Sequence, residues 1–392
     1  MKKAVVIGGS NGMGLAISTK LINKGYYLEI CDRCEPDPEE VLSDFYNYTY
    51  CDLTDFDESV FYSLASNNDV EVLVITAGIG RVADFEAHHI AEIEKILTVN
   101  SLSTIKILRI FYEKIKSSRD FYTGVMGSIA GWMTSPVASV YAASKAAVVR
   151  FIESVNIELE GSCVDNRILD ISPGSFGGSR FYGGKNDISQ IENLANQIIG
   201  HIFNKDTLFI PRYEEVFSNV LKRYHADPHE YGLYSYNFKK ESGRMDNSQH
   251  VKIGYMSGTF DLFHIGHLNV IKHAKQNCDY LIVGVHKDGS HKGKEVFIPF
   301  EERMAIVGAC KYVDRVVPSM PEDSDAVFKY GTNMLFVGSD YKGTERFKRY
   351  EELFSGKGIE IMYFPYTTGT SSTQIREHIV KCGQGNLQGC IC

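Results

Sequence analysis

Residues 3–32 read KAVVIGGSNGMGLAISTKLINKGYYLEICD, and this stretch decides the fold of the first half of the chain. An apolar run, a glycine-rich turn, an amphipathic stretch and a second apolar run predict a strand, a helix and a parallel strand. Gly8, Gly12 and Gly14 let the backbone turn tightly and approach a pyrophosphate, which the free amides at the helix N-terminus would bind. Asp32 ends the second strand, where a carboxylate can accept hydrogen bonds from both hydroxyls of an adenosine ribose.

The same alternation of apolar runs and amphipathic stretches continues along the chain and then restarts. The runs VEVLVITAG, FYTGVMGSIA and NRILDISPG extend the first series, and VKIGYMSG begins a second series at Val251. This pattern predicts an α/β protein of two domains, each a doubly wound, mainly parallel sheet. We expect a first domain at residues 1–227, a polar, turn-rich linker at 228–249 and a smaller second domain at 250–392.

The composition excludes several classes of protein. The chain has 392 residues, 44% of them hydrophobic, and a formal net charge of −8. A nucleic-acid or anionic-membrane partner would favour a basic surface, so small-molecule substrates are expected instead. The nine cysteines are scattered, which predicts neither a disulfide framework nor a metal site. No run is long enough for a signal peptide or a membrane span, so a soluble protein of the cytoplasm is expected.

A tyrosine and a lysine provide a candidate proton donor for the reduction of a carbonyl group. In YAASK, Tyr141 precedes Lys145 by one helical turn, and the charge of the lysine would lower the pKa of the phenol toward neutrality. The YxxxK spacing occurs three times in the chain. Only this copy has a serine, Ser128, thirteen residues before the tyrosine at the end of a predicted strand. These three side chains are therefore candidate catalytic residues.

With these motifs, residues 1 to about 212 resemble the short-chain dehydrogenase/reductase family. The resemblance implies a Rossmann-type fold, reduction of a carbonyl with NAD(P)H, and a catalytic tetrad. The implied tetrad is Tyr141 as the acid, Ser128 holding the carbonyl oxygen, Lys145 tuning the tyrosine and Asn100 holding a water for proton relay. The implied cofactor-binding residues are Gly8, Gly12, Gly14, Asp32, Asp52, Gly78, Pro173 and Gly174.

The residue at the end of the second strand also bears on the choice of cofactor. The carboxylate of Asp32 favours NADH over NADPH, because a 2′-phosphate would meet the same negative charge; the adjacent Arg33 could offset this preference. An alternative interpretation treats the first domain as a degenerate scaffold or a dinucleotide-binding module without turnover. The presence of all four tetrad residues at consistent spacing argues against it.

The stretch SGTFDLFHIGH at 257–267 is a second nucleotide signature, because it follows a predicted strand and opens a helix. His264 and His267 lie three residues apart on one helical face, and together with the helix amides they would concentrate donors for phosphate oxygens. A metal pair is disfavoured because no third ligand has suitable spacing. Lys292, Lys294 and Arg303 add positive charge, and the hydroxyls in GTSST either cap a helix or contact a phosphate.

Residues 251 to about 380 resemble the cytidylyltransferase family, and among its members glycerol-3-phosphate cytidylyltransferase, a nucleotidyltransferase of the HIGH-type α/β fold. The resemblance implies that a polyol-phosphate oxygen displaces pyrophosphate from CTP with the assistance of Mg²⁺. The implied charge stabilisers are His264, His267, Lys292 and Arg303. The implied nucleotide-binding residues are Gly258, Thr259, Phe260, Asp261, Lys294, Asp340, Ser371, Ser372 and Thr373.

The two resemblances together predict a bifunctional enzyme. The first domain would reduce a ketose phosphate to an alditol phosphate, and the second would couple this product to CTP, giving a CDP-alditol of the CDP-ribitol or CDP-glycerol type for capsule or teichoic-acid-like polymers. Candidate anchors for the substrate phosphate are Arg180, Lys185 and Arg212, which are equally consistent with exposed solubilising residues. A transferase that uses ATP or another acceptor is an alternative. Both families commonly form dimers or tetramers, so a homo-oligomer is expected by analogy.

Overall fold

The structure is a computed structural model that describes residues 1–37, 45–174, 176–177, 187–248, 251–288, 296–365 and 375. The chain divides into two compact units, Met1–Ser248 and Gln249–Cys392. Each unit is built around one sheet whose strand pairs are all parallel in the described residues, so the predicted fold class is confirmed. No helix within the described ranges combines the length and apolar character needed to cross a lipid bilayer.

Unit 1 contains seven strands and nine α-helices in the described residues. The strands are β1 (Lys3–Ile7), β2 (Tyr27–Asp32), β3 (Tyr46–Tyr50), β4 (Val70–Ile75), β5 (Tyr122–Met126), β6 (Ile168–Ile171) and β7 (Leu208–Phe209). The α-helices are α1 (Gly12–Asn23), α2 (Glu58–Ser66), α3 (Ile90–Leu97), α4 (Ser103–Ile110), α5 (Tyr112–Ile115), α6 (Ser139–Gly161), α7 (Glu192–Phe203), α8 (Ser218–Ala226) and α9 (Pro228–Glu241). π turns occur at Thr98–Leu102 and Tyr213–Phe217, and 3₁₀ turns at Phe85–Ala87, Ile129–Gly131 and Ile188–Gln190.

The strand order in unit 1 is β3-β2-β1-β4-β5-β6-β7, so the direction of winding reverses between β1 and β4. Alternate residues of the buried strands face opposite layers of helices. Val5 packs into a core that includes Ile152 of α6, whereas Val6 packs into a core that includes Ile17 of α1. A ligand crevice forms at the carboxyl ends of the strands where the order reverses, which places the candidate residues of unit 1 at that edge.

The structure corrects the prediction of a linker at 228–249. Unit 1 extends to Ser248, and helix α9 lies within this range. Helix α9 is capped by Asp227, whose carboxylate accepts hydrogen bonds from the backbone amides of His229 and Glu230 at 3.0 and 2.9 Å. Pro228 occupies the first turn, where a missing N–H costs nothing. The polar composition suggested a linker because most of this helix is exposed, while its start signal is the Asp-Pro pair.

Unit 2 contains five strands and four α-helices in the described residues. They are β8 (Ile253–Gly258), α10 (Ile265–Gln276), β9 (Tyr280–Val285), α11 (Phe300–Gly308), β10 (Arg315–Pro318), α12 (Asp323–Tyr330), β11 (Met334–Gly338), α13 (Glu345–Phe354) and β12 (Glu360–Phe364), with a 3₁₀ turn at Ser339–Tyr341. The strand order is β10-β9-β8-β11-β12. Tyr255 and Met256 of the central strand pack into the two opposite cores. The signature SGTFDLFHIGH therefore leaves β8 at the point where the winding reverses, the usual position of a ligand crevice.

Candidate active sites

In unit 1, the glycine-rich turn joins the carboxyl end of β1 to α1. Gly8 has a φ of +84°, and a Cβ at Gly14 would lie 2.0 Å from the Gly8 carbonyl oxygen. Thr76 Oγ1, just after β4, donates to the same oxygen at 3.0 Å. The turn therefore brings backbone without side chains to the N-terminus of α1, where amide groups attract a phosphate. Gly12 is the first residue of this helix.

Two carboxylates lie at the ends of the strands next to this turn. Asp32 accepts hydrogen bonds from the backbone amides of Ser10, at 3.0 Å, and Arg33, at 2.7 Å. It is thus fixed against the glycine-rich turn, the position from which a carboxylate contacts ribose hydroxyls. Asp52 follows β3 and accepts from the amide and hydroxyl of Thr54 at 2.8 and 2.7 Å. Its contacts shape the turn after β3.

Asn100 lies in the π turn between α3 and α4 and is buried. Its side-chain amide exchanges hydrogen bonds with the backbone of Ile79, accepting and donating at 2.8 Å each, and donates to Ser144 Oγ at 2.9 Å. A Cβ at Gly78 would lie 3.4 Å from both Asn100 Oδ1 and Lys145 Nζ. The structure therefore brings Asn100, Gly78 and Lys145 together, although they are separated in the sequence.

Lys145, in the second turn of α6, is 2% exposed, and its Nζ donates to the carbonyl oxygen of Met126 at 2.7 Å. Burial lowers the pKa of this ammonium from its usual 10.5 to about 8. Nζ lies 5.9 Å from the centroid of the Tyr141 ring. Ser128, just beyond β5, is buried and its Oγ accepts from the amide of Ala130 at 3.2 Å. The structure thus places an ammonium group beside the ring of Tyr141, as the predicted tetrad requires.

The structure also places three other predicted residues of unit 1. Pro173 and Gly174 follow β6, and a Cβ at Gly174 would lie 3.7 Å from the Ile129 side chain. This places the two residues next to the 3₁₀ turn that follows Ser128. Arg212 pairs with Glu215 at 2.9 Å, so its charge is already balanced in the structure. Arg180 and Lys185 lie outside the described residues.

Sequence reasoning missed one buried charge near this site. Asp170 of β6 is 3% exposed, and burial raises the pKa of its carboxyl group to about 6. An aspartate in the middle of an otherwise apolar strand, ILDI, was the available signal, because a buried carboxylate needs a partner.

In unit 2, the two histidines of the signature form the start of α10. His264 is the N-cap, and its Nδ1 accepts from the amide of Gly266 at 3.0 Å. Nδ1 of His267 accepts from the amide of His264 at 3.4 Å, and the two rings stack with centroids 4.0 Å apart. Because Nδ1 accepts in both rings, the neutral form of each carries its proton on Nε2. Burial lowers the pKa of His264, so this ring is neutral at pH 7.

Arg303 is buried and directed toward backbone carbonyl groups. It is 1% exposed, and its guanidinium donates to four backbone carbonyl oxygens. The acceptors are Ile298, Thr259, His286 and Lys287, at distances of 2.6 to 2.8 Å. In the structure Arg303 therefore holds three loops together, and its role as a charge stabiliser stays a prediction.

The remaining predicted residues of unit 2 fall into two groups. Gly258 ends β8, and a Cβ there would lie 2.9 Å from the ring of Phe260. Asp261 is buried and accepts from the amides of Phe297 and Ile298, at 3.0 to 3.2 Å, which fastens the loop before α11. Asp340 lies in the 3₁₀ turn after β11. The predicted residues Lys292, Lys294, Ser371, Ser372 and Thr373 lie outside the described residues.

Comparisons with known proteins divide the chain in the same way. Residues 2–180 match the family described as short chain dehydrogenase, and residues 255–378 match the family described as cytidylyltransferase-like. Glycerol-3-phosphate cytidylyltransferase of Bacillus subtilis is 32% identical over 126 residues, which are 31% of this chain and 92% of that protein. Ethanolamine-phosphate cytidylyltransferase of Dictyostelium discoideum is 36% identical over 141 residues, 33% of this chain and 38% of that protein. A solved short-chain dehydrogenase from Streptomyces avermitilis is 18% identical and covers 61% of this chain and 100% of its own, with a TM-score of 0.49.

Proposed function

Because the chain belongs to the short-chain dehydrogenase family through its first unit and to the cytidylyltransferase family through its second, we propose that it makes a CDP-alditol in two steps. Unit 1 reduces a ketose phosphate to an alditol phosphate with NAD(P)H. Unit 2 then couples the alditol phosphate to CTP and releases pyrophosphate. The observation that carries the proposal is the presence, in one chain, of a complete reductase tetrad and a relative of an enzyme named for glycerol-3-phosphate, itself an alditol phosphate.

The residues of unit 1 fit a nicotinamide dinucleotide. At Gly8 and Gly14 the backbone packs so closely that neither position has room for a Cβ, and this tight turn leads directly into α1, whose N-terminal amides can bind a pyrophosphate. Asp32 is fixed beside the turn for the ribose hydroxyls. A bound NAD(P)H would supply the hydride for the carbonyl carbon. Asp32 favours NADH, since its carboxylate would repel a 2′-phosphate.

Four side chains then bind the carbonyl oxygen of the substrate or take part in the transfer of a proton to it. Ser128 donates a hydrogen bond to the carbonyl oxygen, and Tyr141 transfers its phenolic proton to that oxygen as the alcohol forms. The nearby ammonium of Lys145 stabilises the resulting phenolate. Asn100, held by Ile79 and next to Lys145 through Gly78, positions a water that returns a proton to the site.

In unit 2, a phosphate oxygen of the acceptor attacks the α-phosphorus of CTP. A new O–P bond forms as the bond to the β-phosphate breaks, and pyrophosphate leaves with the electron pair. His264 and His267, with their protons on Nε2, donate to the phosphate oxygens, and the amides at the start of α10 add to this field. Mg²⁺ bound to CTP would neutralise the charge of the leaving pyrophosphate.

The test is a single incubation of the protein with CTP, Mg²⁺, NADH or NADPH and a panel of ketose phosphates, with the products identified by mass spectrometry. Tyr141→Phe should abolish reduction but keep the coupling of a supplied alditol phosphate. His264→Ala should keep reduction and abolish coupling. If both variants lose both activities, or if the wild type consumes neither cofactor nor CTP with any substrate, the proposal is wrong.

Two matched controls are available in the same units. Tyr112→Phe alters the tyrosine of another YxxxK spacing, at the start of α5. His273→Ala removes an exposed histidine from the last turn of α10. Both should retain both activities, so a loss in either control would indicate a general effect on folding.

A further inference from the structure

Asp170 is a buried carboxylate that lies next to Gly127, in the segment that carries Ser128 of the proposed reductase site. It is the third residue of β6 and pairs in register with Val125 of β5. Like Val125 and Ile168, which pack in the core that contains Val148 of α6, it faces the layer of helices that includes α6. The side chain is therefore on the same side of the sheet as Lys145.

The carboxylate packs against the segment that carries the catalytic groups. A Cβ at Gly127 would lie 2.1 Å from Asp170 Oδ1, so only glycine leaves room for the carboxylate there. Gly127 stands between Met126, whose carbonyl oxygen accepts from Lys145, and the catalytic Ser128. Displacing the carboxylate would therefore disturb the backbone on which both catalytic contacts depend.

The hydrogen bonds of the carboxylate are few for a buried charge. Ser172 Oγ donates to Oδ1 at 2.7 Å, and the Trp132 indole donates to Ser172 Oγ at 3.4 Å. No described residue lies within hydrogen-bond distance of Oδ2, and the more distant Trp132 indole also lowers the pKa of this carboxyl group. A buried carboxylate with so little hydrogen bonding needs a nearby positive charge to remain ionised.

The charged side chains that act on Asp170 are both on α6. They are Lys145, which is buried, and Arg150, whose guanidinium lies over the Trp132 ring at 5.4 Å and pairs with Glu153 at the surface. The segment 127–132 and β7 carry no charged side chain, and Tyr122 of β5 packs into the opposite core. Of these two cations only Lys145 is buried, so it is the buried positive charge that acts on this carboxylate.

The charge of each buried group shifts the pKa of the other group in the direction opposite to the shift that burial causes. Burial lowers the pKa of Lys145 to about 8, and the charge of Asp170 is the described influence that raises it. Burial raises the pKa of Asp170 to about 6, and the charge of Lys145 lowers it. Between these two pH values both groups are ionised, which is the state in which Lys145 can act on Tyr141.

We propose that Asp170 is a positioning residue of the reductase: its buried carboxylate keeps Lys145 protonated, and its packing on Gly127 fixes the segment between Met126 and Ser128. Asp170 does not contact the substrate and acts through Lys145. This inference rests on the proposed reductase function of unit 1. It goes beyond the tetrad because it assigns a role to a residue that no catalytic motif contains.

The first test is the pH profile of carbonyl reduction by the full-length protein. Asp170→Asn has nearly the same shape and no charge, so Lys145 should lose its proton at lower pH. We expect the alkaline limb of kcat/KM to move down by about one pH unit, because the charge of Asp170 that raises the pKa of Lys145 is removed. An Asp170→Asn profile that coincides with that of the wild type would overturn the proposal.

The second test does not depend on catalysis. The pKa of Asp170 is raised in the folded protein, from its usual 3.8 to about 6, so the folded state holds this proton more tightly than the unfolded state. The corresponding stability is present at low pH and is lost as pH rises from about 4 to about 6. Urea unfolding of the wild type should show this fall, and Asp170→Asn should lack it. Identical pH dependence in the two proteins would contradict a buried ionised carboxylate.

Two further variants complete the experiment. Ser172→Ala removes the hydrogen bond that favours the ionised carboxylate, so the fall in stability should extend above pH 6; an unchanged range would count against the proposal. Thr123→Val changes a buried hydroxyl on neighbouring β5 and should leave the pH profile of reduction unchanged. If the wild type reduces no carbonyl compound, the proposed function fails, whereas a wild type that is active with an unresponsive Asp170→Asn refutes only the present inference.

Discussion

Replacing Arg303 with lysine separates the two roles that this residue could have in unit 2. Lysine keeps the positive charge that a phosphate would need, but it has one nitrogen where arginine has three. Arg303 donates from all three nitrogens to four carbonyl oxygens. If the guanidinium holds loops together, the lysine variant should lose stability despite its preserved charge.

The size of the loss follows from the carbonyl groups left without a donor. A lysine ammonium at this buried position can reach about two of the four oxygens, and each buried carbonyl left unpaired costs about 1–3 kcal/mol. The expected destabilisation is therefore about 4 kcal/mol, a large part of the total stability of a domain. For a unit of this size, each kcal/mol corresponds to about 3 °C, so the melting temperature should fall by about 12 °C.

The assay combines thermal unfolding of the full chain with hydrogen exchange measured by mass spectrometry, which assigns the loss to segments. Exchange should increase in the loops that carry Thr259, His286 and Ile298, and peptides of unit 1 should not change. Arg349→Lys makes the same chemical change on an exposed face of α13 and should have no effect. A lysine variant that keeps wild-type stability but releases pyrophosphate a hundredfold more slowly would show that the guanidinium acts on a phosphate, and our reasoning would be wrong.

Three other predictions follow from particular contacts. Gly14→Ala should abolish NADH binding measured by fluorescence, because its Cβ would lie 2.0 Å from the Gly8 carbonyl oxygen, whereas Gly161→Ala, with nothing within 4 Å, should bind normally. The folded-state pKa of Lys145 is lowered from 10.5 to about 8, so stability in urea should rise as pH increases between these values, and Lys145→Met should remove the rise. Lys239→Met removes two hydrogen bonds of 2.6 and 2.9 Å to the loop before Tyr141 and should cost about 2 kcal/mol, with faster exchange in α9.

The sequence predicts well those features that depend on local patterns. The second sheet follows from apolar runs separated by amphipathic stretches, and the predicted run VKIGYMSG contains β8. The glycine-rich turn was predicted because tight backbone packing requires glycine wherever it occurs. In unit 1, β3 (Tyr46–Tyr50) and β7 (Leu208–Phe209) were missed, since one is polar and half exposed and the other has two residues.

Features that depend on contacts between distant residues were not predictable in this way. The charge of Arg303 suggested a phosphate partner, but four carbonyl oxygens from separate loops surround it, and no local pattern encodes that arrangement. The role inferred for Asp170 depends on its position opposite α6 and on the space at Gly127, which only the folded sheet brings together. Helix α9 lies in the range predicted to be a linker, because its exposed face has the polar composition that is typical of linkers.

In each unit, a buried charged side chain contacts the backbone of the segment that carries candidate catalytic residues. Asp170 supports the segment between Met126 and Ser128, and Arg303 supports the carbonyl of Thr259 next to the histidine signature. Substituting either residue would reduce activity without removing a group that contacts substrate. Loss of activity alone therefore does not identify a catalytic residue in this protein. A pH profile for Asp170 and a stability measurement for Arg303 make the distinction, because the first reports the ionisation of Lys145 and the second reports how firmly the loops around Thr259 are held.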